Sequence, residues 1–525
     1  MSETRLRGRH AGALVPLFSI PSTESWGIGE ISDLPIFARW LHDAGLSVLQ
    51  LLPVNEMADG QTSPYSALSA MAIDPIYIAI RDLPEFAAWG GESSLHDDEI
   101  EKLAAARQAK TVDYATIREV KTRVLRDAFD TFLELEGQKG TARAAAFGAY
   151  IDREGWWLDD YAVYRALHAE NGGRYWIEWD AGVRDREPAA LSDARTRLDH
   201  EILYYAWLQW IADQQWERAR AACAELDVAI LGDFPFMVSG DSADVWSRQH
   251  EFRIDASVGV PPDAFSETGQ DWGLPVYRWD VLEANGYDWM QMRARRCAEL
   301  YDGFRVDHLV GFYRTFVREK DGRAYFVPAE PDAQIRQGER ILSIFRESDA
   351  FLIAEDLGVV PDFVRESLAR LDVPGMKVLR WEREWEREGK PFKDPAAYPP
   401  VSVAISGTHD TETLCEWWEK ADGEERQAAV ELPALRDAAI LTDETFSDRL
   451  RDALLVTLFH SGSDLLLVPV QDIFGWPDRI NTPAVVSDEN WCWRLPWPVD
   501  HLTDEDEAGE RAKFLERLAR VSRRN

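Results

Sequence analysis

An α/β fold, the (β/α)8 or TIM barrel, is what this sequence predicts, and three observations predict it. Eight short apolar runs recur along the chain, helical patterns lie between several of them, and acidic residues stand where many of the runs end. Near-continuous apolar runs suit parallel strands covered on both faces. Strand–helix alternation with eight strands favours a closed barrel over an open doubly wound sheet. The first run is not followed by G-x-G-x-x-G, and no Walker pattern occurs, so nucleotide-binding α/β folds lose support.

The runs are 12–18, 47–54, 227–236, 303–309, 351–356, 376–381, 402–410 and 464–472. After the first comes a helix pattern over 33–44, with Asp33 or Ser32 as its cap, Pro35 in its first turn and Gly45 as its stop. About 170 residues separate the second and third runs, a polar loop near 58–74 and then a charged, Ala-rich helical stretch. The chain 1–525 reads as one barrel with two insertions, a mostly helical one at about 57–215 and a second at 237–301. Both follow strand C-termini, the face on which barrel active sites lie. The charged tail 505–525 has a helical pattern. No C-terminal β-domain is expected after the eighth strand, and no internal repeat is visible.

Composition narrows the function. With 58 Lys+Arg against 93 Asp+Glu the net charge is −35. Such a surface repels phosphate backbones and anionic lipid, which argues against nucleic acid and membranes as partners. It also suits plain solubility. Cys223, Cys297, Cys415 and Cys492 stand singly, which argues against a zinc ribbon or a disulfide framework and for reduced, buried thiols in a cytoplasmic protein. No secretory leader and no membrane-length apolar run is seen. The 22 tryptophans can stack on sugars, but most are expected to be packing.

Chemistry enters with the acids. Asp233 lies in LGDFPF, Asp307 in GFRVDH, Glu355 and Asp356 in LIAED, Asp410 in SGTHD and Asp472 in VPVQD. An unpaired carboxylate at the end of a buried strand is costly, so several in register point to work beyond structural ion pairs. Glycosidic bond cleavage wants such a set without a metal or cofactor. One carboxylate attacks the anomeric carbon and one carboxylic acid protonates the leaving oxygen, roughly 5–5.5 Å apart in the retaining geometry. Neighbouring fourth and fifth strands bring Asp307 and Glu355 together. Arg305, two residues before Asp307 on the same face, is expected to keep Asp307 ionised as a nucleophile. Glu355 is expected to stay protonated part of the time, a neighbouring carboxylate and partial burial raising its pKa. Asp410 adds negative charge opposite the developing oxocarbenium ion. The weaker reading is a metal site of His308, His409, Asp307, Glu355 and Asp410, though neither H-x-H nor H-E-x-x-H occurs.

Ten segments in order, SWGIGEISD, SPYSALSAMAIDP, GDFPFMVSGDSADVW, GVPPDAFSETGQDWGLPVYRW, GFRVDHLVGFYR, AEDLGVV, PGMKVLRW, SGTHDTET, VPVQD and NWCWR, make the chain from about Gly12 to Pro496 resemble one family. It is the amylomaltases, the 4-α-glucanotransferases of glycoside hydrolase family 77, related to α-amylases. The resemblance implies Asp307 as nucleophile, Glu355 as general acid/base and Asp410 as transition-state stabiliser. It implies Arg305 as the arginine that orients the nucleophile, and His409 as a donor to the sugar on the non-reducing side of the cut. Tyr65 would stack under that sugar, with Ser63 beside it, and Asp233 would be a structural acid. The segment 259–279 resembles the family's substrate-covering loop, with Asp263, Glu267, Gln270 and Trp272 on the acceptor side. Such a cover favours a sugar hydroxyl over water.

Three departures stand out: Ala264 where the family commonly has Tyr, Asp74 for a usual Asn, and Trp381 with the charged run 382–390. The chain starts close to its first strand, so the extra N-terminal domains of longer members are not expected. The implied substrates are maltooligosaccharides or starch- and glycogen-type α-glucans. Two other readings stay open: an α-amylase-like retaining hydrolase, and a non-catalytic glucan-binding protein.

Overall fold

The eight runs pair in the computed structural model as a closed parallel barrel. The model describes residues 6, 8–58, 60–262, 269–483, 485 and 487–524. The barrel strands are His10–Leu14, Val48–Gln50, Ala229–Phe234, Gly303–Val306, Phe351–Ala354, Gly375–Val378, Ser402–Ile405 and Leu465–Pro469. Each neighbours its sequence successor in the barrel, and the eighth closes against the first, His10 facing Leu465. The strands are shorter than the apolar runs, because the runs continue into the loops above them. Alternate residues fill the interior, where Val48, Leu231, Ile353, Met376, Ile405 and Leu467 form one cluster. The opposite faces meet the surrounding helices in a second, larger core.

Close strand packing demands glycine at Gly303. A Cβ there would lie 2.5 Å from the backbone oxygen of Phe351 and 2.8 Å from Leu231 Cδ2. Since Gly303 faces Phe351 on the fifth strand, Gly303→Ala must push the fourth and fifth strands apart. The expected cost is about 1–3 kcal/mol, read as a lower Tm together with a lower turnover than the wild type.

Leu34–Asp43 is a helix with Pro35 in its first turn, as the pattern predicts, and Gly45 follows it at φ +68°. The expected cap is corrected. Asp33 makes no cap bond to this helix; its carboxylate accepts from the Glu30 N–H at 2.7 Å, from Ser22 and Ser25 hydroxyls, and from Arg81 at 2.8 Å. Those donors all precede the helix or lie outside it, so Asp33 braces the turn before it instead.

Between the second and third strands run the helices Asp97–Gln108, Tyr114–Phe132, Ala142–Glu170 and Asp199–Glu225, the last packed on Ala142–Glu170 and on Leu34–Asp43. Most tryptophans are buried, several of them here. The departure Asp74 finds a partner in this region: Arg118 binds its two oxygens at 3.0 and 2.6 Å, which answers the charge an asparagine would lack. After the third strand the described flanks of the expected covering loop 259–279 lie in a sheet. Phe252–Val260 pairs antiparallel with Gln270–Tyr277 and with Thr315–Glu319, and Ala324–Val327 completes four strands. Thr315–Glu319 and Ala324–Val327 lie beyond the fourth barrel strand, a long-range pairing that local patterning does not announce.

The tail forms the helix Asp506–Ser522, where Trp40 donates to the Ala508 carbonyl at 3.1 Å. Among the described residues no strand follows Pro469. All four cysteines are free; Cys223 and Cys492 are buried, whereas Cys297 and Cys415 are only partly so. Among the described residues no helix is long and apolar enough to cross a membrane.

Candidate active site

Parallel strands in register put their C-terminal ends at one rim, and the acids collect there. Asp233 is paired with Arg305 across the third and fourth strands, and Arg305 faces Ile353 on the fifth. Asp307 directly follows the fourth strand and Glu355 the fifth. Asp410 is not at the end of the seventh strand, where the run 402–410 placed it; it sits five residues on, in the loop 406–413.

Arg305 is the hub. Its guanidinium is 3% exposed and reaches three carboxylates: Asp233 Oδ2 at 2.6 Å through Nη1, Asp307 Oδ1 at 2.8 Å and Glu355 Oε2 at 3.1 Å, both through Nη2. One nitrogen in reach of both keeps those Asp307 and Glu355 oxygens within about 6 Å. That is short of the roughly 6.5–9.5 Å an inverting pair needs to lodge a water, and compatible with the roughly 5–5.5 Å of a retaining pair.

Glu355 Oε2 also accepts the His308 backbone N–H at 2.6 Å. His308 has φ +43°, a conformation that non-glycine residues rarely adopt and that collects at functional sites. It turns the amide next to Asp307 toward the neighbouring strand's carboxylate. The His308 ring is half-buried beside Phe236 and Trp272, and loss of solvent there pushes its pKa down to about 4, so it is neutral near pH 7.

These contacts act on the two carboxylates differently. Burial pushes Asp307 well above the usual carboxylate range; Arg305 opposes this, while Glu355, Asp233 and Asp410 reinforce it. Burial also raises Glu355, but Arg305 and the His308 amide outweigh it and hold Glu355 below its ordinary value, helped by a hydrogen bond with Asp307. The two acids are thus pushed in opposite directions while they share one hydrogen bond and titrate as a pair. The difference is the His308 amide, which no strand pattern reveals.

Asp410 is held ionised. Burial would raise its pKa, but His409, with Nε2 3.3 Å from Oδ2, and Asn481, donating at 2.6 Å to Oδ1, keep it well below the usual range with help from Arg305. Arg479 donates to the Asp410 carbonyl at 2.9 Å.

Tyr65 links the two halves of the rim. Its hydroxyl donates to Asp233 Oδ2 at 2.7 Å and lies 3.1 Å from His409 Nε2. Its ring stacks on His409 with centroids 5.3 Å apart, and Trp491 tilts against both. A cavity of about 230 Å³ opens over these groups, lined in part by Ser63, Tyr65, Trp272, Asp307, His409 and Asp410. Gln270 touches the site only through Trp272, whose indole N–H it accepts at 3.2 Å. Asp263, Glu267 and the departure Ala264 lie outside the described residues. Among the described residues no group of three or more His, Cys, Asp or Glu is arranged to hold a metal ion.

Sequence reasoning named His308 only in the weaker metal-site reading, and passed over Asn481 and Trp491 as members of this rim. Trp491 stands in the NWCWR segment, and its φ of +62° marks it as a specially held aromatic only once the backbone is known.

A family model described as 4-alpha-glucanotransferase matches residues 15–500. A 4-alpha-glucanotransferase of Thermus thermophilus is 34% identical over 511 residues, which cover 93% of this chain and 95% of that protein. One from Chlamydia pneumoniae is 32% identical over 515 residues, 94% of this chain and 92% of that protein. Among solved structures, the amylomaltase from Streptococcus agalactiae in complex with acarbose has a TM-score of 0.83 at 27% identity, covering 98% of this chain and 100% of that one. This chain, a barrel with its acids gathered at one rim, belongs to the 4-alpha-glucanotransferase family, glycoside hydrolase family 77.

Proposed function

We propose that this chain performs the family reaction by a retaining double displacement, with Asp307 as nucleophile, Glu355 as acid/base and Asp410 as electrostatic stabiliser. The supporting observation is the one Arg305 nitrogen that touches both Asp307 and Glu355. Both carboxylates are partly open to the cleft, 25% and 21% exposed. A donor α-1,4-glucan seats a sugar over Tyr65, with His409 and Asp410 on its hydroxyls. Asp307 and Glu355 share a proton along their hydrogen bond. Glu355 then gives it to the glycosidic oxygen as Asp307 attacks the anomeric carbon. The bond to the leaving glucan breaks, and that glucan departs with its 4-hydroxyl. In the second half, Glu355 takes the proton of an acceptor 4-hydroxyl, whose oxygen displaces Asp307.

Arg305 offsets the charge left on Asp307, and Asp410 faces the positive charge that develops on the sugar. Trp272 offers an aromatic face on the acceptor side and, with Ser63, narrows the entry of water. Asp263, Glu267 and Gln270 are assigned to the same acceptor side. The segments 57–215 and 237–301 act as insertions that wall this cleft, and the chain works as one catalytic unit. We place its work on maltooligosaccharides and starch- or glycogen-type glucans in the cytoplasm, in maltodextrin and glycogen metabolism, without a cofactor.

Maltotriose tests the reading. Pure protein should convert it to glucose and a ladder of longer oligosaccharides, read by chromatography. Shortening without lengthening would point to a hydrolase instead, and no turnover would sink both.

A further inference from the structure

The loop 406–413, which carries His409 and Asp410, braces itself. The Thr408 N–H donates to Thr411 Oγ1 at 2.9 Å, the Thr411 hydroxyl donates back to the Thr408 carbonyl at 3.1 Å, and the Asp410 N–H donates to Thr408 Oγ1 at 3.2 Å. A loop tied to itself moves as one piece, so the anchorage of its ends decides where Asp410 stands. Two side chains from flanking strands grip those ends. Asp472, just past the eighth strand and 1% exposed, accepts from the Ser406 hydroxyl at 2.5 Å and from the Leu414 N–H at 2.6 Å. Arg380, just past the sixth strand and 5% exposed, donates through Nη2 to the carbonyls of Ser406 at 3.3 Å and Glu412 at 2.5 Å. The fit beneath the loop is close: a Cβ at Gly407 would meet Thr411 Oγ1 at 2.3 Å and Arg380 Nη2 at 3.2 Å.

We propose that Arg380 and Asp472 form a two-sided clamp that positions Asp410 for catalysis, a pair of positioning residues that do not touch the substrate. The inference rests on the reading of Asp410 as the stabiliser of the transition state. Each clamp residue holds both ends of the loop at once, so losing either frees a hinge at the loop's base. Displacement of a charged group by about 1 Å costs on the order of 10²-fold in rate. Asp472→Asn keeps an oxygen for the Leu414 N–H and presents an amide to the Ser406 hydroxyl, which can then accept, so it should preserve the grip.

The test is a mutant cycle on maltotriose with kcat as readout. Asp472→Ala and Arg380→Ala are each expected to lower kcat by about 10–100-fold, while Asp472→Asn stays within a few-fold of wild type. In an Asp410→Ala background, assayed with an α-maltotriosyl fluoride donor to keep residual rates measurable, adding either clamp substitution should cost little more, because their effect passes through Asp410. A further fall as large as in the wild-type background would overturn the clamp, as would an unchanged kcat in both single variants. If Asp472→Ala fails to fold, Arg380→Ala carries the same cycle. Near wild-type activity of Asp410→Ala alone would instead sink the reading of Asp410.

Discussion

Replacing Asp307 with Ala or Glu355 with Ala is expected to lower transfer by at least about 10³-fold while leaving the thermal melt within a few degrees of wild type. The rate falls because each group acts only as bonds change. Without Asp307 no covalent intermediate forms, and without Glu355 the leaving oxygen departs unprotonated; losses of this size are usual for a nucleophile or its proton partner. The fold is spared because the two side chains are partly open to the cleft and their removal leaves Arg305 still paired with Asp233. An equal loss of melting temperature and rate would mean the residues are structural. The cleanest separation uses a donor with a good leaving group, such as an α-maltosyl fluoride. Glu355→Ala should recover much of its first half-reaction there, since such a group needs no proton, whereas Asp307→Ala should not recover.

Arg305→Ala should be the most damaging single change to both fold and rate. It strands Asp233, Asp307 and Glu355 beside one another without their shared cation, and breaking a buried pair in this way costs about 3–5 kcal/mol. The loss should depend on pH with a definite sign. In the variant the loss of the cation lifts Asp307 further above its unfolded pKa and removes the main pull that holds Glu355 down. A raised carboxylate pKa means that the folded state holds its proton more tightly. Its stability is then greatest below the unfolded range near about pH 4 and declines as pH climbs through the raised folded value. The stability gap to wild type should therefore be wider at pH 7.5 than at pH 5, measured by denaturant melts at both. A gap independent of pH would show that the cation does not govern the cluster's charge. Arg305→Lys should not restore turnover, since one ammonium lacks the planar fork that reaches Asp233 on one side and the Asp307–Glu355 pair on the other.

Much of this molecule was legible before any coordinates. Barrel strands are covered on both faces, so Ala229–Phe234, Leu465–Pro469 and their six companions appear as mostly apolar runs. Carboxylates that terminate such runs are conspicuous because burial disfavours them without a purpose, which is why Asp233, Asp307 and Glu355 could be named together. The helix Leu34–Asp43 was readable from Pro35 and Gly45, though not its cap, since Ser22, Ser25 and Arg81 compete for Asp33 from elsewhere in the chain. The sheet beside the site was not readable, because its strands Phe252–Val260 and Thr315–Glu319 are joined across a whole barrel strand.

The sequence by itself determined the barrel, the identity of the acids at its rim and the family, because these depend on residue type and order along the chain. Only the tertiary structure decided which groups surround the Asp307–Glu355 pair, how Asp410 is anchored and which aromatics face the cleft. Those properties depend on groups distant in sequence and close in space: the His308 amide on Glu355, Asn481 on Asp410, and Arg380 and Asp472 at the two ends of one loop. Electrostatic energy follows such distances, and only folding sets them.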